Sequence, residues 1–358
     1  MSNNALDTWI FDSYHPTTQG LGLFRIFTAL FYLFFLMPDA SYYSELSLFP
    51  ADFYNPPPGP MMMMDSFPPG WFLFLIHTLL VVSWIGVLVG YKTRVMSLAA
   101  AGFMLILLGF IYSIGKVNHQ MLLILLPACM AYSGWGRAYS IDSKQLQVTK
   151  GANGWPLVFL ALFIGFMFFT AGFPKFLGGW LQGDSLATKG HLLNQYFVRG
   201  RTELLSGYMV QFDSPFFWGL LDWATVLFEA GFLIAAFRAG WTRLFVCIAV
   251  LFHFSTMLTL NIGFLVNFPA YAAFLPWGKI ERGVRESVSP SGKKSVDQIP
   301  LKFGLGIFSI FLLIKIFDKT ELFFSAAEPS FNEIVIIGAA VLIVLFFGFK
   351  RVKKRFQT

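Results

Sequence analysis

Lys175 ends a long apolar run, in the stretch Ala171-Gly172-Phe173-Pro174-Lys175-Phe176-Leu177. A lysine there has two readings. It is an interfacial anchor whose ammonium reaches water, or it is the base of a lipid-facing reaction chamber. Desolvation favours the neutral amine, the form that can take a proton. A second polar group, Asn118-His119, closes the short turn Gly115-Lys116-Val117 between two apolar runs. Asn118 and His119 are suited to holding a substrate oxygen or to shaping the surroundings of the lysine. Lys175, His119 and Asn118 are therefore the candidate catalytic residues. Arg25, Asp222, Glu229 and His253 lie inside apolar runs, where ionisable groups are costly and functional by default. Of these, Arg25, Asp222 and His253 are the candidate cofactor-binding residues. Glu229 lies seven residues from Asp222, on the same helix face. A carboxylate in mid-span must be paired or protonated. Pairing, with Arg25 as one candidate partner, and a functional role are open alternatives for it. Neither the five histidines nor the two cysteines, Cys129 and Cys247, have metal-ligand spacing, so no metal is expected.

The elements that must position these groups are membrane helices. The chain is 56% hydrophobic and 13% charged over 358 residues, which a water-soluble domain cannot bury. Its apolar runs approach 20 residues and do not alternate, so they read as helices rather than barrel strands. The runs are 20–37, 70–90, 95–114, 119–134, 155–174, 216–237, 243–260, 262–277, 301–317 and 332–349. The expected fold is an all-α polytopic bundle of about ten transmembrane helices, or nine if 243–277 holds a single broken span. Asn261 and Gly263 suit a tight turn there.

The net charge of +7 does not indicate nucleic-acid binding, because the basic residues fill the gaps between apolar runs. With ten spans and a cytoplasmic N-terminus, 18 of the 26 Lys and Arg residues fall on the inside, as the positive-inside rule requires. Both termini are then cytoplasmic, and Lys175, Asn118 and His119 share the outer side. The domain expectation is a bundle over 1–280 with outer loops 38–69 and 175–215. A cytoplasmic linker follows at 281–300, then a C-terminal helix pair and basic tail over 301–358. Loop 38–69 carries no Lys or Arg, a Pro-rich stretch at 56–60 and four methionines at 61–64. Loop 175–215 mixes charges with aromatics and fits a cap over a membrane cavity.

In order, these pieces resemble a known family. Leu23-Phe24-Arg25 opens the first span. Tyr91 and Arg94 fill a short basic loop, and Asn118-His119 precedes the fourth span. Tyr139-Ser140-Ile141-Asp142 follows that span. Ala171-Gly172-Phe173-Pro174-Lys175 comes next, then Trp180, Gly183, Asp222, Phe252-His253 and Ile262-Gly263. Over most of 20–280 the chain resembles the vitamin K-dependent gamma-carboxylases and their bacterial relatives, the horizontally transferred transmembrane domain (HTTM) proteins. The resemblance implies that Lys175 matches the base that deprotonates vitamin K hydroquinone, and that His119 belongs to the same centre. It also implies a reduced isoprenoid quinone as cosubstrate and the bacterial cytoplasmic membrane as location. The large lumenal domain of the carboxylases has no counterpart after 280, so protein carboxylation is not the expected activity. A small quinone-oxidoreductase-like membrane family shares the Ala-Gly-x-x-Lys element, so redox partnering is a further reading.

Three functions follow. The first is a carboxylase-like membrane enzyme acting on a quinol or another lipid-soluble substrate, with Lys175 as base. The second is a non-catalytic assembly subunit for a soluble or membrane protein partner. The third is a lipid or solute transporter lined by Arg25, Glu229 and His253, which lacks the inverted repeats usual in that class. Membrane lipids are partners in every case.

Overall fold

A computed structural model describes residues 4–145, 151–183, 185–288, 298–319 and 329–356. Among these residues, seven helices are long and apolar enough to cross a membrane. They are α1 (Thr18–Leu36), α2 (Gly70–Val89), α3 (Thr93–Ile111), α4 (Trp155–Leu177), α5 (Pro215–Ala235), α6 (Ala239–Leu260) and α7 (Gln298–Asp318). The protein is thus an all-α, multi-pass membrane protein with seven such helices among the described residues, and the expected ten or nine are corrected to that count.

Two of the three segments outside that count, 119–134 and 262–277, have a local cause. In 119–134 the helix proper is Leu122–Met130, entered by a 3-10 turn at His119–Met121 and containing Pro127. At about 1.5 Å per residue it falls well short of a bilayer core of about 30 Å. Asn261 ends α6 in the left-handed region, at φ 51°. Beyond it, 262–277 forms a 3-10 turn, Leu265–Asn267, and a five-residue helix, Phe268–Ala272. Pro276 then precedes the helix Trp277–Val288. The last helix, Phe331–Phe356, runs into the basic tail, and its part Phe331–Phe346 is not counted among the seven. Its first turn is polar, with Asn332 bonded to Asp318 and Glu333 to Ser330. The inference that both termini share a side rested on ten spans and lapses with that count. The expected linker 281–300 begins inside the helix Trp277–Val288, while 289–297 lie outside the described residues.

The chain forms two compact units, 1–160 with 269–311 and 161–268 with 312–358. In the first unit, α2 ends in a Schellman cap. Gly90 sits at φ +70°, its N–H reaches Val87 O, and Tyr91 N–H reaches Gly86 O. Arg25, fully buried in α1, donates to Val87 O (2.6 Å), Leu88 O (2.9 Å) and Tyr139 O (2.5 Å). A cation thus satisfies carbonyls at a helix C-terminus, where the macrodipole favours it. A Cβ at Gly90 would lie 2.4 Å from that guanidinium, so glycine is required twice over. Asp142, in the short helix Ile141–Gln145, caps α3, accepting from Lys92 N, Thr93 N and Thr93 Oγ1 at 2.7–2.8 Å. Tyr139 donates to Glu281, which also pairs with Arg285 on Trp277–Val288.

Segment 38–69 folds as a short helix, Ala40–Leu46, and two 3-10 turns. Met61 packs on Gly109 of α3, while Met62, Met63 and Met64 are exposed.

In the second unit, α4 meets α5 through two glycines seven residues apart. A Cβ on Gly165 would lie 2.9 Å from Leu233 Cα, and one on Gly172 would lie 2.7 Å from Glu229 Cβ. Small residues at such spacing let membrane helices approach closely. Phe168, between them, stacks on Phe232 with ring centroids 5.0 Å apart.

Candidate functional site

The sequence around Lys175 builds the site in three local steps. Gly172 brings the backbone of α5 near, so Lys175, about one turn later, faces Glu229. Gly179, at φ +83°, ends α4 in a second Schellman cap: Trp180 N–H bonds Lys175 O (3.2 Å) and Gly179 N–H bonds Phe176 O (3.4 Å). That cap folds Trp180 back over the lysine, with Nζ 5.1 Å from the indole ring centroid.

Lys175 Nζ then lies 2.5 Å from both carboxylate oxygens of Glu229. The lysine side chain is 26% exposed and the glutamate 5%. Glu229 is thus paired, and its partner is Lys175 rather than Arg25. The pair was missed in the sequence because its members lie 54 residues apart on different helices. The available signal was one mid-span acid and one basic helix end, each needing a partner.

Below the pair lies an aromatic layer. Phe168 contacts Phe228 (5.0 Å) and Phe232 (5.0 Å), and stacks on His253 (5.9 Å). His253 is buried and stacks more closely on Phe264, at 4.3 Å. Its Nε2 is 3.1 Å from the amide nitrogen of Asn267. Asp222 is fully buried and accepts from Ser185 Oγ (3.2 Å), Ala187 N (3.0 Å) and Thr188 N (2.8 Å). It caps the short helix Ala187–Leu193 and ties loop 175–215 to α5. Asn261 does the same for the next part of the loop, donating to Glu203 O (2.9 Å), while Arg201 donates to Asn261 O (3.1 Å).

Asn118 and His119 belong to the first unit. Asn118 caps the 3-10 turn, accepting from Gln120 N at 2.8 Å. His119 is half-buried, and burial, aided by the positive Lys116, brings its pKa down to about 4. It is a neutral imidazole at physiological pH. Lys175, Glu229, Asp222 and His253 share the second unit, and Arg25 lies in the first.

These features define a multi-pass helical membrane protein with an ion pair clasped between two of its spans. The family model of the HTTM domain matches residues 14–273, and the chain belongs to that family. The match covers every candidate residue named above. No curated protein and no solved structure matches the chain.

Proposed function

We propose that the protein is a carboxylase-like enzyme of the bacterial cytoplasmic membrane. It takes a proton from a lipid-soluble quinol, a reduced isoprenoid quinone, with Lys175 as base. The observation that carries this reading is the Lys175–Glu229 pair, 2.5 Å apart at the end of an apolar helix. Lys175 acts as base from the neutral form of the pair, in which the shared proton sits on Glu229. The substrate hydroxyl gives its proton to the Lys175 amine. The lysine ends as an ammonium facing the substrate oxyanion, and Glu229 keeps its proton. No electron moves in this step. The scarcity of water around a membrane-embedded pair strengthens the attraction that stabilises the oxyanion. The aromatic layer with His253 suits a planar ring, whereas Asn118 and His119 enter the proposal through the family resemblance alone.

The test is the quinone content of protein purified from bacterial membranes into lipid nanodiscs, read by organic extraction and mass spectrometry. Wild type is expected to retain quinone and to bind added quinol as its oxyanion, read by the shifted absorbance of the quinolate, while Lys175→Ala does not. Equal quinolate absorbance with wild type, Lys175→Ala and Glu229→Gln overturns the reading.

A non-catalytic assembly role is favoured by one separate observation. Phe197, Val198 and Tyr208 are exposed on a loop that Asp222 and Asn261 hold in place. A partner docking there predicts co-purification that Lys175→Ala leaves intact and Tyr208→Ser with Phe197→Ser removes.

A further inference from the structure

A cavity of about 360 Å³ lies in the first unit, at the starts of α3 and α4, whose first residues Thr93 and Trp155 both line it. Two spans beginning at one cavity place it at a membrane face, not in mid-bilayer. Its volume falls within the range of about 300–1,000 Å³ common to small-molecule sites. The wall carries two guanidinium groups, Arg94 and Arg137. Arg94 is exposed and lies over the Tyr132 ring, 4.5 Å from its centroid. Stacking holds a guanidinium flat and leaves its N–H edge available to an anion. Arg137 is half-buried and donates to Gly151 O. Asp142, also on the wall, already accepts three bonds from Lys92 and Thr93 at the start of α3. Its charge is engaged at that helix end, and the two arginines outweigh it. Tyr132 and Trp155 pack against each other at 5.7 Å, the aromatic pairing typical of the headgroup level. Beyond the cavity, Val95 and Leu98 of α3 and Phe159 of α4 are exposed apolar residues, as a surface for acyl chains requires.

We propose that this cavity binds the phosphate of an anionic phospholipid between Arg94 and Arg137, with its chains along α3 and α4. The chemistry recognised is a phosphate ester, for which arginine is the best-matched side chain. The apolar residues beside it select a lipid over phosphate from solution. The site is independent of the proton-transfer reading, since it involves neither Lys175 nor Glu229.

The test uses the full chain in detergent with mixed phosphatidylglycerol and phosphatidylcholine, read by native mass spectrometry of retained lipid. Wild type is expected to retain phosphatidylglycerol preferentially. The double variant Arg94→Gln/Arg137→Gln is expected to reduce that preference by about tenfold or more, on the scale of two basic residues at an anionic surface. Arg238→Gln, on the exposed loop between α5 and α6, is the control and is expected to leave the preference unchanged. Arg94→Gln alone, at an exposed position, keeps the test open if the double variant does not fold. It should lower the preference by about threefold or more. Equal preference in wild type and the arginine variants overturns the proposal. Displacement of the lipid by millimolar inorganic phosphate overturns the lipid as the source of the phosphate.

Discussion

At the scale of single residues, one ion pair and one histidine dominate. Burying one charge without its partner is expensive, whereas replacing both by apolar groups is much less so. Glu229→Leu should therefore destabilise the protein by about 1–3 kcal/mol, the partial exposure of Lys175 keeping the cost below that of a fully buried pair. Lys175→Met/Glu229→Leu should recover part of that loss, a non-additivity readable in a double-mutant cycle of thermal melts in detergent. Additive losses would show that the two groups do not interact in the membrane. His119 gives a prediction in pH. Its folded pKa of about 4 lies below the ordinary 6.5, so the unfolded chain binds the proton first as pH falls. Stability should decline as pH drops from about 6.5 to about 4 and level off below that, by roughly 1–3 kcal/mol from this group. His119→Gln should flatten that part of the profile, and a profile identical to wild type would remove the histidine as its cause. Other residue roles were only half visible in the sequence. Asp222 stood out as a carboxylate in an apolar run, but the backbone N–H groups that it receives come from a loop some 35 residues away.

At the scale of elements, glycines decide which helices can touch. A Cβ added at Gly172 would meet Glu229 Cβ at 2.7 Å and the backbone nitrogen of Ala230 at 2.9 Å, and neither is a flexible tip. Gly172→Leu should push α4 from α5 and cost about 1–3 kcal/mol. Gly102, with nothing within 4 Å of a Cβ, is the control, and Gly102→Ala should be neutral or stabilise by up to about 1 kcal/mol. Equal melting temperatures for Gly172→Leu and Gly102→Ala would mean that α4 and α5 are not in close contact. The seven long helices were legible from apolar run length, because a bilayer imposes one length on every span. Two shorter segments, 119–134 and 262–277, were misread for a related reason. Apolar content measures burial, whereas local backbone chemistry, such as Pro127 and the left-handed Asn261, determines how far a helix can run before it breaks.

At the scale of the whole molecule, the sidedness of the basic residues is open to a direct test. Within the first unit, Arg94 and Arg137 line one cavity, and a cytoplasmic position for that face is what the positive-inside rule predicts. Met63, exposed on segment 38–69, is expected on the opposite face. In a background with Cys129 and Cys247 replaced, Arg94→Cys and Arg137→Cys should react with an impermeant maleimide only after the membrane is opened. Met63→Cys should react in intact cells. Labelling of all three from one side would refute this sidedness.

The sequence by itself determined that this chain lives in a bilayer and which few charges must find partners. Family membership, too, was legible, since Arg25, Asn118-His119, the Ala171–Lys175 element and Phe252-His253 keep their order along the chain. Only the tertiary structure decided the partners. Lys175 meets Glu229, Arg25 meets the carbonyl end of α2, and Asp222 holds a loop. The physical reason is that hydrophobic burial is a property of each segment alone, whereas a charge is satisfied by whichever group the packing of other segments brings within about 3 Å.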